Sequence, residues 1–307
     1  MDTREFQDVE SIARGGISFV YQVSPGVVVK IPQDDDFARQ QFCNELQIYK
    51  TFSQQAACAF IVQCFYSTNE GIFLEHMKNE IDRKTDVVTS VNRLEPLHLR
   101  LAWMNSVTQA IAFLETLNLA HGDLRPDNIL LDGNLRIKVT DFDYTAPFGT
   151  PFLVCQEPSG RTLRENEPGY DVEEAYGAGL LGPRTEQFAL GSIYYFINYG
   201  MEVYGDKILT SDPRNRYIKM SELLQDMQFP VIDCDPIGDL ISKCWHNQFP
   251  TIASLAMATE KLLEEQVTEE TNSDADTSKN AASTKELCQE LEKRGLFGFL
   301  RSKSPPV

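Results

Sequence analysis

Asp123, Asn128 and Asp141 are the residues of this chain best suited by type and spacing to do chemistry. Asp123 sits in the stretch HGDLRPDNILLD (121–132), Asn128 follows five residues later, and Asp141 comes 18 residues after Asp123, behind a second apolar run. The polar residues stop where Ile129, Leu130 and Leu131 begin, so they lie at the mouth of a short buried strand. Strand mouths are where sites are built on a rigid frame. A loop, a strand, a turn and a return strand, Leu135 to Val139, fill the interval, and such a hairpin gathers the three side chains at one end. An amide and a carboxylate are hard oxygen ligands suited to a hydrated Mg²⁺ that also takes phosphate oxygens. Asp123 is placed to meet an incoming hydroxyl as a base.

Two features upstream add a phosphate-binding half. Lys30 closes the run VVVK, where an ammonium group is buried only against an anion, and Glu45 on the following segment is its candidate partner. In IARGGISFV, Gly15 and Gly16 permit a tight turn between strands and close backbone approach to a phosphate.

The elements that must position these groups follow from periodicity. FVYQVSPGVVVKI, from Phe19 to Ile31, reads as a hairpin turning at Ser24-Pro25-Gly26. Phe37, Phe42, Leu46, Ile48, Tyr49 and Phe52 suit one amphipathic helix, and 60–66 and 71–76 read as two further strands. Leu97, Leu101, Met104, Ile111, Leu114 and Leu117 predict a long half-buried helix over 97–119 that delivers the chain to His121. The stretch to Gly182 is rich in Gly, Pro and Glu and too long for a simple connector, so it is expected to be a functional loop. Helices are expected over 187–199, 239–245 and 251–265. From 266 the composition turns polar, and QVTEETNSDADTSKNAAS has almost nothing to bury, so an acidic, disordered tail is expected there. The last segment is read as a weakly ordered terminus that could carry a short helix with Leu287, Leu291, Leu296 and Phe297 on one side.

The chain has 307 residues, enough for one large domain or two lobes, with 45 acidic against 28 basic side chains. That excess of negative charge disfavours nonspecific attraction to nucleic acid or to an anionic membrane. Seven scattered cysteines make no CxxC pair, which suggests reduced thiols and a cytoplasmic or nuclear setting. The charged N-terminus lacks the apolar core of a secretory signal, and no apolar run approaches a membrane span.

In this order, these residues resemble the protein-kinase fold over about residues 9 to 265. HGDLRPDN looks like the catalytic loop, DFD at 141–143 stands where D-F-G is expected, and VVVK stands for V-A-I-K. The resemblance implies an α+β bilobal fold: a β-rich N-lobe over 1–76, a helical C-lobe over 77–265, and a tail over 266–307. It implies ATP and Mg²⁺ as cofactors, with Asp123 the catalytic base, Arg125 in place of the catalytic-loop Lys, and Asn128 and Asp141 the metal ligands. Lys30 would contact the α- and β-phosphates while paired with Glu45. Gly15, Gly16 and Val20 would cover the nucleotide, Leu74 would be the gatekeeper, and the backbone of Glu75 to Met77 the hinge for adenine. The acceptor implied is a Ser or Thr hydroxyl of a protein substrate. With GPRTEQFALGS added, the likeness is closest to divergent protein-kinase-like proteins of filamentous fungi.

The departures from the family pattern carry expectations of their own. Gly122 stands where many kinases have the Arg that meets an activation-loop phosphate, which argues against that mode of switching. Arg125 keeps a positive charge but as a planar fork. Asp143 replaces the D-F-G glycine, Ala13 and Ser18 replace two loop glycines, Glu186 stands where kinases usually carry Asp, and no A-P-E triplet lies between Asp143 and Glu186. HGD with DFD is also seen in kinases of small molecules. Two other readings therefore stand beside the protein kinase: a pseudokinase scaffold without turnover, and a small-molecule kinase.

Overall fold

Runs of β-branched and aromatic residues in the first quarter of the chain yield five strands, and clustered apolar residues at helical spacing dominate the rest. The structure, a computed structural model, describes residues 9–77, 94–170, 177–267 and 281–303. Among these the strands are β1 (Glu10–Arg14), β2 (Ser18–Ser24), β3 (Val27–Pro32), β4 (Cys64–Ser67), β5 (Ile72–Glu75), β6 (Leu119–Ala120), β7 (Ile129–Leu131), β8 (Ile137–Val139) and β9 (Ala146–Pro147). The helices are α1 (Asp36–Phe52), α2 (Leu97–Thr116), α3 (Pro183–Tyr199), α4 (Arg216–Gln225), α5 (Pro236–Trp245), α6 (Ile252–Val267), α7 (Ala281–Lys293) and α8 (Leu296–Lys303). The chain divides into two units, one of residues 1–78, 141–143 and 272–307 and the other of 79–140 and 144–271. None of the described helices is long and apolar enough to cross a membrane.

In the first unit, the strands form one antiparallel sheet in the order β1-β2-β3-β5-β4. Gly26, with a φ of 80°, closes the expected β2–β3 turn. Register pairs Phe19 with Ile31, Tyr21 with Val29 and Val29 with Phe73, so these side chains share one face. Val20 pairs with Lys30 and Lys30 with Ile72, so these share the other. Helix α1 lies on the Lys30 face. Its start is fixed by Asp35, whose side chain accepts the Ala38 N–H at 2.8 Å, and its first and last turns carry Asp36 and Lys50, as the helix dipole favours. Phe42, Leu46, Ile48 and Tyr49 are buried as expected, whereas Phe37 is exposed because the helix has just begun there.

The C-terminal segment departs from the sequence reading. The polar stretch 268–280 lies outside the described residues, but residues 281–303 form two helices rather than a loose terminus. Cys288, Leu291, Leu296, Phe297, Phe299 and Leu300 are buried in one cluster with Val9, Phe19, Tyr21, Val29, Ile31 and Phe73. Both helices are short and follow a long polar stretch, so nothing local signals a core element, and the sheet face supplies the partner surface. At roughly 1.5–3 kcal/mol per buried large apolar side chain, this contact is a substantial part of the unit's core.

The second unit is helical. Leu101, Met104, Ile111 and Leu114 of α2 pack in its core, and α2 ends at Thr116, three residues short of the predicted 119. Thr108 of α2 is hydrogen-bonded to the Tyr194 hydroxyl of α3. Glu115 caps α6 by accepting the Ile252 and Ala253 N–H groups at 2.9 and 2.8 Å. Asp235 does the same for α5 through Gly238 at 2.7 Å. Helix α4 escapes a sequence reading because Tyr217 and Ile218 are exposed and only Met220 and Leu224 are buried. After α2, the short pairs β6–β9 and β7–β8 frame the polar loop.

Candidate active site

Each unit carries its own set of the predicted residues. In the first, the pleat of β3 turns Lys30 toward α1, where it is only 6% exposed. Its ammonium lies 2.6 Å from Glu45 Oε2 and 2.5 Å from Asp141 Oδ1. Burial opposes the positive charge of Lys30, but the nearby carboxylates of Glu45, Asp141 and Asp143 outweigh it and hold its pKa above the ordinary lysine value. Burial pushes the Glu45 carboxyl up, against the pull of Lys30. Three carboxylates therefore face one ammonium, a surplus of negative charge that suits a further cation.

Segment 141–143 is held to α1 from both sides of its backbone. Phe142, fully buried, meets Tyr49 and Phe52 edge-on at centroid distances of 5.5 and 5.1 Å. The Asn44 side-chain amide donates to the Asp143 carbonyl at 2.6 Å. Asp141 has a φ of 67°, the left-handed region that Asp tolerates better than most residues. Its side chain is 37% exposed, leaving it accessible as an oxygen ligand.

Gly15 and Gly16 form the β1–β2 turn, with the Gly15 N–H donating to Ser18 O at 2.9 Å. Gln33, just past β3, donates from its amide to the carbonyls of Gly15 and Gly16 at 2.8 and 3.0 Å, fixing the turn from below. Val20 shares the Lys30 face. Leu74 is buried on β5, Glu75 ends that strand with its N–H donated to Gln63 O at 2.9 Å, and Met77 is buried just beyond.

In the second unit, the 3₁₀ turn Pro126–Asn128 brings Asn128 back onto Asp123. The Asn128 amide nitrogen donates to the Asp123 carbonyl at 2.7 Å and to Asp123 Oδ2 at 3.1 Å. Its nitrogen is thus committed to Asp123, and the amide oxygen is the atom left to act as a ligand. Arg125 Nε lies 3.4 Å from Asp123 Oδ2, and its guanidinium also reaches Asp127 at 3.4 Å and Gln156 Oε1 at 3.1 Å. The fork shape anticipated for Arg125 is used to hold three neighbours.

His121 is buried and structural. Its Nδ1 accepts the Asp123 N–H at 3.3 Å, which assigns the ring proton to Nε2, opposite the Thr140 carbonyl at 3.1 Å. Thr145 donates its hydroxyl to the His121 carbonyl at 3.1 Å. The His121 N–H in turn donates to Glu186 Oε2 at 3.0 Å. Burial lifts the Glu186 carboxyl to about 7, against the backbone N–H groups of His121 and Gly122 and the Thr185 hydroxyl, which pull it down. Gly122 has a φ of 78°, and a Cβ there would come within 2.4 Å of the Tyr144 carbonyl oxygen. The backbone conformation itself thus excludes the Arg found at this position in many kinases. The β7–β8 hairpin ends with the Thr140 N–H on Asn128 O at 3.0 Å, and Asp141 is the next residue in the chain.

A family model described as Protein kinase domain matches residues 6–261. The chain belongs to the protein kinase domain family. Among curated relatives, this chain is 26% identical over 65% of its length to a probable LRR receptor-like serine/threonine-protein kinase of Arabidopsis thaliana. It is 35% identical over 25% of its length to the liver/testis phosphorylase b kinase gamma catalytic chain of Homo sapiens. It is 25% identical over 61% of its length to a serine/threonine-protein kinase of Mycosarcoma maydis. The matched regions cover 22%, 22% and 24% of these relatives, so the chain spans less than a quarter of their length. The α+β division expected from the sequence, β-rich at the N-terminal side and helical beyond, holds for the kinase domain.

Four positioning residues escape a sequence reading in whole or in part. Gln33 and Asn44 have no motif to flag them, since their partners are backbone carbonyls. Thr145 lies in an irregular stretch. Glu186 is visible as a departure from the usual Asp, but its contact with the His121 backbone spans 65 positions of sequence.

Proposed function

We propose that this kinase domain binds ATP with Mg²⁺ and transfers the γ-phosphate to a Ser or Thr hydroxyl of a protein. The observation that carries the reading is the buried Lys30 held between Glu45 and Asp141. An ammonium placed among three carboxylates is poised for an anion that arrives with its own cation, as a metal-bound triphosphate does. In this reading Lys30 contacts the α- and β-phosphates, and Gly15, Gly16 and Val20 cover the nucleotide. The backbone of Glu75 and Met77 meets adenine. The donor chemistry of Asn128 Oδ1 and the Asp141 carboxylate fits Mg²⁺, which when bound neutralises phosphate charge. Asp123, oriented by Asn128, accepts the proton of the attacking hydroxyl, and Arg125 keeps positive charge beside it.

The acceptor as a Ser or Thr of a protein is supported by the relatives, each named as a serine/threonine-protein kinase or a phosphorylase kinase catalytic chain. The finer likeness to kinase-like proteins of filamentous fungi rests on HGDLRPDN, DFD and GPRTEQFALGS. A reducing compartment, cytoplasm or nucleus, accords with the scattered thiols. The test is calorimetry of Mg-ATP binding together with single-turnover phosphate transfer by wild type and Asp123→Ala. Wild type is expected to bind and transfer, and the variant to bind only. Binding without any Asp123-dependent transfer would leave a nucleotide-binding scaffold instead.

A further inference from the structure

We infer that the C-terminal helix pair α7–α8 is a positioning element for the phosphate-binding residue Lys30, acting through the opposite face of the strand that carries it. The functional part of this inference rests on the nucleotide-binding reading above, whereas its structural part does not.

Strand β3 alternates its side chains between two tasks. Val27, Val29 and Ile31 join the cluster with Leu296, Phe297 and Leu300, while Lys30 between them turns to Glu45. A displacement of Val29 or Ile31 is therefore a displacement of the Lys30 backbone. The fit at this point is specific. A Cβ on Gly71 would come within 2.3 Å of the Phe297 ring and 3.0 Å of Val29 Cγ2, so the missing side chain of Gly71 is the socket that lets Phe297 reach Val29. Gly71 directly precedes Ile72, the β5 partner of Lys30. Phe297 also packs edge-on against Phe73 at 5.6 Å. Two polar contacts fix the register of the pair on the sheet: the Tyr66 hydroxyl donates to Glu292 Oε2 at 2.6 Å, and Arg301 pairs with Glu70. The sheet is thus clamped between α1, which supplies Glu45, and a segment far along the chain that makes no chemistry of its own.

The test uses the full chain as wild type, Phe297→Ala and the milder Tyr66→Phe, with three readouts. Site-resolved thiol labelling of Cys288, a residue of α7 fully buried in the cluster with the sheet, reports docking. Amide hydrogen exchange of β3, β5 and α1 without nucleotide reports positioning, and Mg-ATP calorimetry reports function. For Phe297→Ala, Cys288 is expected to label at least ~10-fold faster, β3 and β5 to lose protection while α2 and α3 keep theirs, and ATP affinity to fall by ~5-fold or more, the scale of coupled sites. Tyr66→Phe should move all three in the same direction by less, and it decides the matter if Phe297→Ala does not fold. Faster Cys288 labelling with β3 exchange unchanged would overturn the inference, and so would Cys288 labelling unchanged in both variants. Absence of ATP binding by wild type would instead remove the nucleotide reading, and hydrogen exchange would still decide the positioning role.

Discussion

Replacing Glu186 by glutamine should remove a pH dependence of stability that the wild type carries beneath the loop that starts at His121. Glu186 is 2% exposed, and its carboxyl is displaced upward from 4.5 to about 7 by burial. A displacement of that size corresponds to ~3 kcal/mol. Below pH 4.5 the folded and unfolded chains both hold the proton, and the group adds no penalty. As pH rises toward 7 the unfolded chain releases its proton while the folded one keeps it, so stability falls. Above about 7 the folded carboxylate is ionised too, and the full ~3 kcal/mol stands. The amide introduced by Glu186→Gln cannot ionise, so the unfolding free energy of the variant minus that of wild type should climb by ~3 kcal/mol between about pH 4.5 and 8. Denaturant unfolding of both proteins across that range measures it, and taking the difference cancels the titrations they share. A difference that stays flat would mean that the His121, Gly122 and Thr185 donors keep the buried group charged throughout, and the reasoning from burial would be refuted.

Three further outcomes follow from the geometry. Asp141→Asn should weaken Mg²⁺-dependent nucleotide affinity while leaving the melting temperature close to wild type, and unchanged Mg²⁺ dependence in calorimetry would count against Asp141 as a metal ligand. Gly122→Arg should destabilise the kinase domain by ~2 kcal/mol or more, since a side chain there meets both a left-handed backbone and the Tyr144 carbonyl; a variant with wild-type unfolding midpoint would contradict the close approach. Asn44→Ala removes the donor to the Asp143 carbonyl and should cost ~1–2 kcal/mol, with faster hydrogen exchange confined to 141–143 and α1; uniform exchange changes would show that the bond does not act locally.

The half of the site that rests on strand alternation and short-range motif is legible in the sequence. A lysine closing an apolar strand and a glutamate on the next helix are enough to pair Lys30 with Glu45, and the two meet at 2.6 Å. The hairpin from Ile129 to Val139 follows from two apolar runs and a polar turn. What escapes depends on partners that no local pattern names. The glycine at 122 reads as the loss of an arginine, and only the φ of 78° and the nearness of Tyr144 show it to be a backbone requirement. The C-terminal helices read as weakly ordered because they are short and stand behind a long polar stretch, yet a sheet face more than two hundred positions earlier gives their apolar side chains a place to be buried. Spacing alone puts Leu97 and Phe37 on apolar faces, but both are exposed, because each lies in the first turn of its helix, beyond the reach of the core.

The covering of the sheet by α7 and α8 also bears on how the molecule is made. Tyr66 and its partner Glu292 are separated by 226 positions, so on the ribosome the apolar side of the early strands emerges long before its cover is synthesised. Chains begin to fold from their N-terminal side as they emerge, and here the sheet is synthesised well before the helices that complete its core. Until α7 and α8 are released, Phe19, Tyr21, Val29 and Phe73 present a sticky surface to chaperones and to other nascent chains, and a premature stop codon before Ala281 would leave it without either helix.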